Sequence, residues 1–410
     1  MSSEAYWVSA NGLVAGASQN GQIIDLGTLP KGGNESGAQS VNSSGQVVGW
    51  ALNTVADPTS MLLVNPFFNY YQPYQPGVPF QTRAFVWQRG VMQDLGTLGT
   101  GTDAWAWAIN EQGQVIGISY TSATPNPANP CTNGPPVPSQ DPFLWENGKM
   151  IDLGTLGGTC GYPTWINNQG QVVGESYLAG DTNYDAFLWT KEKGMQDLGT
   201  MDGRYVEPYL QMINDFGVAV GYAVLSSNNQ ITDAVMWNGT WHDLGNIDGC
   251  ALAYWTSAQG QVVGSTGNEC QGTVFLWENG GPMVDLSTLV VGHNGFTLIG
   301  QDAVYINDQG EIAARGIPAV CNYAAIGCTH DAVLIPCDEN HPNIEGCDYS
   351  LVESLKAVEA HASQIAGLPE AAASQSKMSA TKIINRFRSM MSSLNRNFGP
   401  AQQAIAWGPY

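Results

Sequence analysis

The sequence predicts an all-β protein: a β-propeller of four-stranded antiparallel blades, six favoured and seven the alternative, with a C-terminal α-helical tail. Three observations predict it. A four-part phrase recurs about six times. Each part is a run of 4–8 residues rich in β-branched or aromatic side chains. Turns such as Asn147-Gly148 separate the runs. Short strands at even spacing, closed by Gly-containing turns, are the arithmetic of a blade.

The first part is a small-aromatic-aliphatic-Trp run at 84–87, 142–145, 186–189 and 274–277, with Val235 replacing the aromatic at 234–237. Its tryptophans, Trp87, Trp145, Trp189, Trp237 and Trp277, are expected in the core between blades. The second part is Asp-Leu-Gly-Thr-Leu or a close variant. It begins at Asp25, Asp94, Asp152, Asp197, Asp243 and Asp285, at intervals of 69, 58, 45, 46 and 42 residues. The short intervals are the bare period, and the long ones carry insertions. The third part ends in Ile-Asn, as at Asn110, Asn167, Asn214 and Asn307. The fourth is Gly-Gln-Val-Val-Gly, as at 45–49, 170–174 and 260–264. A β-helix would need shorter coils, and a sandwich would not repeat.

These phrases resemble the HAF-type extracellular repeat, named for a His-Ala-Phe start and continued by the Asp-Leu-Gly-Thr-Leu and Gly-Gln-Val-Val-Gly phrases. The resemblance covers residues 5–335. The His is absent here, where Arg83, Asp141, Asp185, Asp233 and Thr273 stand beside the start of the run. The resemblance implies a bacterial secreted protein, and it implies no particular reaction.

The chain opens in mid-unit. Residues 5–16 align without a gap on 253–264, as third and fourth strands. The last first-strand run, 331–335, has no clear successor. Propellers remove exposed sheet edges by pairing strands from the two termini. Residues 332–335 are therefore expected to complete a blade begun near the N-terminus. The body is assigned to 1–349.

Long insertions follow the fourth strand, at 51–82, 118–140, 176–184, 223–232 and 317–330. Strand alternation puts them on one face, where binding residues gather. The candidates there are Phe67, Phe68, Tyr70, Tyr71 and Tyr74 of the first insertion. Trp105, Tyr162 and Tyr205, read as loop aromatics after the second strand, join them. Loop aromatics can stack on sugar rings.

Eight cysteines lie scattered without a Cys-x-x-Cys or zinc-finger spacing. They read as disulfides and so as an oxidising compartment. The expected pairs are Cys131–Cys160, Cys250–Cys270, Cys321–Cys328 and Cys337–Cys347. The first residues show neither a basic nor an apolar signal-peptide region, so a secreted product is expected to have lost its leader. An extracellular location is the expectation.

The charge is uneven. The net charge is −21, with 14 basic against 35 acidic side chains. An acidic body repels phosphate backbones, which excludes nucleic acid as a partner. No apolar run is long enough for a membrane span. Residues 350–410 alone are basic, with six Lys and Arg against three Glu. Apolar residues there recur at helical spacing, predicting amphipathic helices at 351–366 and 379–396. Such stripes need a partner, either the propeller or a second copy of the chain.

Six repeated aspartates would form a ring by symmetry. That ring could bind Ca²⁺, but repetition favours a turn role, each Asp accepting backbone N–H bonds. No metal or other cofactor is otherwise implied. The five histidines share no motif, and no nucleophile elbow appears. The expectation is a secreted, non-enzymatic propeller that binds a glycan or protein at the cell surface, or assembles there. The alternatives are an extracellular carboxylate-dependent glycan-active enzyme and a structural protomer polymerising through 350–410.

Overall fold

The protein, seen in a computed structural model, is nearly all β. Residues 1–6, 9–13, 16–23, 31, 34, 58, 62–79, 129–135, 202, 204, 226–230, 268, 269, 271, 279, 291–295, 301–303, 321–328, 339, 343 and 345–410 lie outside the described residues. The expected tail helices fall there. The chain divides into two compact units, Met1–Ala219 and Val220–Tyr410.

The first unit opens with the antiparallel pair β1 (Trp7–Val8) and β2 (Val14–Ala15). Three four-stranded meanders follow. The first is β3 (Ser36–Val41), β4 (Val47–Ala56), β5 (Phe80–Gln88) and β6 (Val91–Asp94). The second is β7 (Ala104–Ile109), β8 (Val115–Tyr120), β9 (Gln140–Glu146) and β10 (Lys149–Asp152). The third is β11 (Gly157–Ile166), β12 (Val172–Leu178), β13 (Tyr184–Thr190) and β14 (Gly194–Asp197). A single parallel bridge between Cys160 and Gln140 joins the last two. A fourth sheet runs β15 (Tyr205–Ile213), β16 (Ala219–Leu225), β17 (Thr232–Trp237) and β18 (Trp241–Gly245), and the unit boundary falls within β16.

In the second unit, β19 (Ala251–Thr256), β20 (Val262–Thr266), β21 (Thr273–Trp277) and β22 (Val284–Asp285) repeat the meander. The last sheet differs. Its β25 (Ile312–Ile317) pairs with β23 (Thr297–Ile299), with β24 (Tyr305–Ile306) and with β26 (His330–Leu334).

The five four-stranded sheets from β3 to β22 therefore start on the third phrase and end at the second, whereas the last sheet ends on the first phrase, in β26. The second phrase is not itself a strand, which corrects the expectation. In four copies the strand ends at the Asp; β18 alone continues to Gly245. The following Leu turns into the core, and Leu95, Leu153, Leu244 and Leu286 are all buried. The next residue takes a positive φ at Gly96, Gly154, Gly199 and Gly245, which only glycine adopts without strain. The first copy, at 25–29, forms no strand.

The rings buried deepest are Phe85, Phe143, Phe187 and Phe275, not the adjacent tryptophans. Trp189 is buried, but Trp87, Trp145, Trp237 and Trp277 are half-buried. Each Trp stands two residues after its Phe and so on the same face of the strand, packed at the margin of the core that the Phe enters fully. Phe143 joins Val48, Val86, Leu95, Ala106 and Val115 in one core; Phe187 joins Ile116, Leu144, Leu153 and Val172 in the next. Each buried ring of this kind contributes roughly 1.5–3 kcal/mol.

The Ile-Asn phrase supplies polar staples between sheets. Asn42 Nδ2 donates to the Asn110 carbonyl at 3.1 Å. Asn110 Nδ2 donates to that of Asn167 at 3.0 Å, and Asn167 Nδ2 to that of Asn214 at 2.8 Å. The Oδ1 of Asn110 meanwhile closes its own turn, accepting from Gln112 N and Gln114 N at 3.1 and 2.9 Å. One side chain thus shapes a hairpin and ties it to the next sheet.

Candidate functional site

The six repeated aspartates are committed to turns. The Oδ1 atoms of Asp25, Asp94, Asp152, Asp197 and Asp243 accept from the backbone N–H two residues on, at Gly27, Gly96, Gly154, Gly199 and Gly245, over 2.7–2.9 Å. Asp285 does the same with Ser287 N. This is the Asx-turn geometry.

What faces each turn Asp varies. Arg83 forms an ion pair with Asp94 at 3.0 Å. Thr273 Oγ1 donates to Asp285 Oδ1 at 2.9 Å. In two sheets a second carboxyl stands there instead. Burial pushes Asp141 up to about 7, and the neighbouring charge of Asp152 adds to the rise. Asp185 is likewise raised, by burial and then by Asp197. A carboxyl that gives up its proton with difficulty near neutral pH is a feature of functional sites.

Two more acid pairs lie in the first unit. Half-buried Glu175 on β12 is pushed up to about 7, by burial first and by Glu207 second. Its charge acts in turn on Tyr162, whose hydroxyl burial pushes above the usual tyrosine range. The other pair is Asp57 and Asp103, at the stem of the first insertion. Asp103 is 0% exposed. Its Oδ1 accepts from Met61 N, in the loop after β4, at 3.1 Å and from Thr82 N, in β5, at 2.7 Å. Burial pushes its carboxyl up to about 7; the Thr82 N–H bond opposes the rise, and the charge of Asp57 adds to it. Tyr120 Oη donates to the Thr59 carbonyl at 2.9 Å and closes the stem from below.

The structure relocates the aromatics read as loop residues. Trp105 lies within β7, 1% exposed, with its ring 5.2 Å from that of Trp50. Tyr205 begins β15 and is 3% exposed. Tyr162 is a half-buried residue of β11, packed on the core that holds Trp50 and Trp105. All three belong to the strand that carries the third phrase and opens its sheet, which starts earlier than the sequence suggested. Phe67, Phe68, Tyr70, Tyr71 and Tyr74 lie outside the described residues.

Cys250 and Cys270 form the expected disulfide, with Cα atoms 4.9 Å apart. Cys160 and Cys337 are also disulfide-bonded. Cys131, Cys321, Cys328 and Cys347 lie outside the described residues. Among the described residues, no group of three or more His, Cys, Asp or Glu gathers to hold a metal ion. Among them too, no helix is long and apolar enough to cross a membrane.

Sequence reasoning missed Asp57, Asp103 and Glu175, because none belongs to a repeated phrase. Asp141 was visible as a departure from the His of the resembled repeat, and its meaning waited on the facing Asp152.

No protein-family model matches the chain, and neither does any curated protein sequence. Solved structures give distant likenesses. An acylaminoacyl peptidase from Pyrococcus horikoshii aligns at 11% identity and TM-score 0.34, over 70% of this chain and 44% of that one. TolB from Acinetobacter baumannii aligns at 10% identity and TM-score 0.33, over 67% and 61%. The β-propeller domain of the Trilobed protease from Pyrococcus furiosus aligns at 12% identity and TM-score 0.32, over 50% and 62%. The chain spans less than two thirds of the length of each of these.

Proposed function

We propose that this chain is a secreted six-bladed β-propeller that binds a glycan or a protein at the cell surface through its loop-bearing face, without catalysis. The observation that carries the reading is the disposal of its acids. The repeated aspartates, the best candidates for a symmetric reactive ring, are spent on turns. Effort at the other positions goes into anchoring loops: Asp103 holds both stems of the first insertion, and the Cys250–Cys270 bridge staples two others. Rigid sheets presenting anchored loops are a binding architecture. The aromatic insertion at 67–74 supplies the stacking residues, and the remaining cysteines pair as Cys131–Cys160, Cys321–Cys328 and Cys337–Cys347. The basic tail at 350–410 docks on acidic surface, of its own propeller or of a second copy.

A glycan array and a cell-surface pull-down with the purified full chain test this. Retention on one ligand class, lost when Tyr70, Tyr71 and Tyr74 are all replaced by Ala, is expected. Absence of retention on every surface and glycan tried would overturn it.

A second reading has its own observation. Asp141 and Glu175, each pushed up to about 7 beside another carboxyl, have the proton affinity of a general acid. Release of reducing sugar from a polysaccharide panel, lost in Glu175→Gln, would replace the binding reading with a glycan-active enzyme.

A further inference from the structure

A cavity of about 470 Å³ lies in the first unit, away from the insertions. The turns after β11, β13 and β15 line it together with the end of β9, each turn at the end of its sheet opposite the insertion. Its size falls in the usual range for small-molecule sites, roughly 300–1,000 Å³. Buried Leu144 and Trp189 supply its apolar lining.

Two lining residues break the repeat. Phe216 is 73% exposed, in a position that the equivalent turns fill with Ser44, Gln112, Gln169, Gln259 and Gln309. A lone exposed ring is ordinary surface. This one borders a cavity, and its turn is fixed: Phe216 N donates to Asn214 Oδ1 at 3.0 Å. Thr190 is the other. In two sheets a Glu follows the first-phrase Trp and accepts from the Gln of the fourth phrase. Gln114 Nε2 donates to Glu146 Oε2 at 2.9 Å, and Gln261 Nε2 donates to Glu278 Oε1. Thr190 follows Trp189 where that Glu would stand. Gln171 Oε1 accepts from Asn167 Nδ2 at 2.7 Å, but among the described residues its Nε2 has no acceptor.

The charges in the cavity are already paired. Lys191 Nζ donates to Glu146 Oε1 at 2.5 Å. Asp215 accepts from Asn168 N and Asn168 Nδ2 at 2.7 and 2.9 Å. No unpaired positive charge is left to hold an anion. Hydrogen-bonding capacity remains: each Glu146 oxygen keeps a lone pair, and the Thr190 hydroxyl, which accepts from Lys193 N at 3.2 Å, keeps its proton to donate. An aromatic ring beside neutral donors and acceptors suits a pyranose, which has an apolar C–H face and a rim of hydroxyls.

We propose that this cavity binds one neutral pyranose residue, its C–H face on Phe216 and its hydroxyls on Gln171 Nε2, Thr190 Oγ1 and Glu146. The site is separate from the loop-bearing face and does not depend on binding there.

The test uses the full chain and three probes: methyl β-glucopyranoside, methyl β-galactopyranoside and methyl α-mannopyranoside. Saturation-transfer NMR is expected to show transfer from the protein to the ring C–H protons of at least one. Phe216→Gln installs the residue found in four equivalent turns, so the fold is kept, and it should weaken binding roughly three- to tenfold. Phe216→Tyr should bind like the parent. Thr190→Glu gives Gln171 Nε2 the acceptor that Gln114 and Gln261 have, so it should also weaken binding without lowering the melting temperature. Transfer to none of the three probes would overturn the proposal, as would transfer unchanged in both Phe216→Gln and Thr190→Glu. Loss on replacing Tyr70, Tyr71 and Tyr74 by Ala, with Phe216→Gln unaffected, would place the sugar on the insertion instead: this site would fail and the loop-face reading would stand. Loss in Phe216→Gln with the triple variant unaffected supports this site whatever the loop face binds.

Discussion

Gly174 lies directly opposite Phe187 across β12 and β13, and the Phe187 ring occupies the space over its α-carbon. A β-carbon there would stand 2.8 Å from the ring and collide with the Tyr162 carbonyl behind it. The same pairing recurs as Gly49 with Phe85, Gly117 with Phe143 and Gly264 with Phe275. At all four a β-carbon would first collide with a backbone carbonyl oxygen of the preceding strand, and at Gly117, Gly174 and Gly264 it would meet the Phe ring next, which is why the fourth phrase ends in glycine.

Gly174→Ala should therefore destabilise by roughly 1–3 kcal/mol, the usual cost of overpacking a filled core. Urea unfolding followed by tryptophan fluorescence measures it. Gly154→Ala should also destabilise, by backbone strain at φ 72°, although nothing crowds it. A second change of Phe187 to Leu should recover part of the loss at Gly174 and none at Gly154.

The asparagine staples make a second prediction. Asn110→Ala removes the donor to Asn167 and the acceptor that closes its own turn, so a loss of roughly 1–3 kcal/mol is expected. Asn110→Asp keeps the acceptor and loses the donor. Amide exchange near Gln112 and Gln114 should stay slow in the Asp variant and quicken in the Ala variant, while both lose overall stability.

The facing acids predict a charge replacement that stabilises. Asp141→Arg would copy the Arg83–Asp94 pair at the equivalent place in the next sheet. It should remove a repulsion and gain an ion pair, together worth up to about 1 kcal/mol near neutral pH. Denaturation midpoints in low and high salt test it, since screening should shrink the gain.

The same acids set a pH dependence. Asp103, Asp141 and Glu175 are raised to about 7, so the folded chain holds protons that the unfolded chain has released. Their contribution to stability is full below the ordinary carboxyl range of about 4 and is lost as pH rises through about 7. Asp57, which hydrogen bonds hold below its ordinary value despite burial, opposes this at the acid end. In EDTA, the melting temperature should fall between about pH 5 and about pH 8. A variant carrying Asp103→Asn, Asp141→Asn and Glu175→Gln should flatten the slope.

Reduction offers a last check. Opening Cys250–Cys270, which are 20 residues apart, should cost roughly 3 kcal/mol. Cys250→Ser with Cys270→Ser should lower the melting temperature, and reductant should then have a smaller further effect than on the parent.

Much of the fold was legible because its signals are local and repeated. Hairpin turns, strand-length runs and Asx turns act over two to six residues, so each copy of a phrase announces them again. The succession of strands along the chain followed from that repetition, but where a sheet begins did not: each meander from β3 to β22 joins a third and fourth phrase to the next first and second. Strand boundaries were less legible: Trp105 and Tyr205 were placed in loops because the turn after each Asp is short and the next strand begins early. Packing depth was not legible at all, and Phe, not Trp, took the deepest place.

By itself, the sequence determined an all-β chain of four-stranded meanders, the turn role of its repeated aspartates and a net charge of −21. Only the tertiary structure decided which acids are unusual. Asp57 and Asp103, like Glu175 and Glu207, are far apart in the chain and belong to no phrase. What raises a carboxyl is burial beside another charge, and both conditions arise only when separate strands meet.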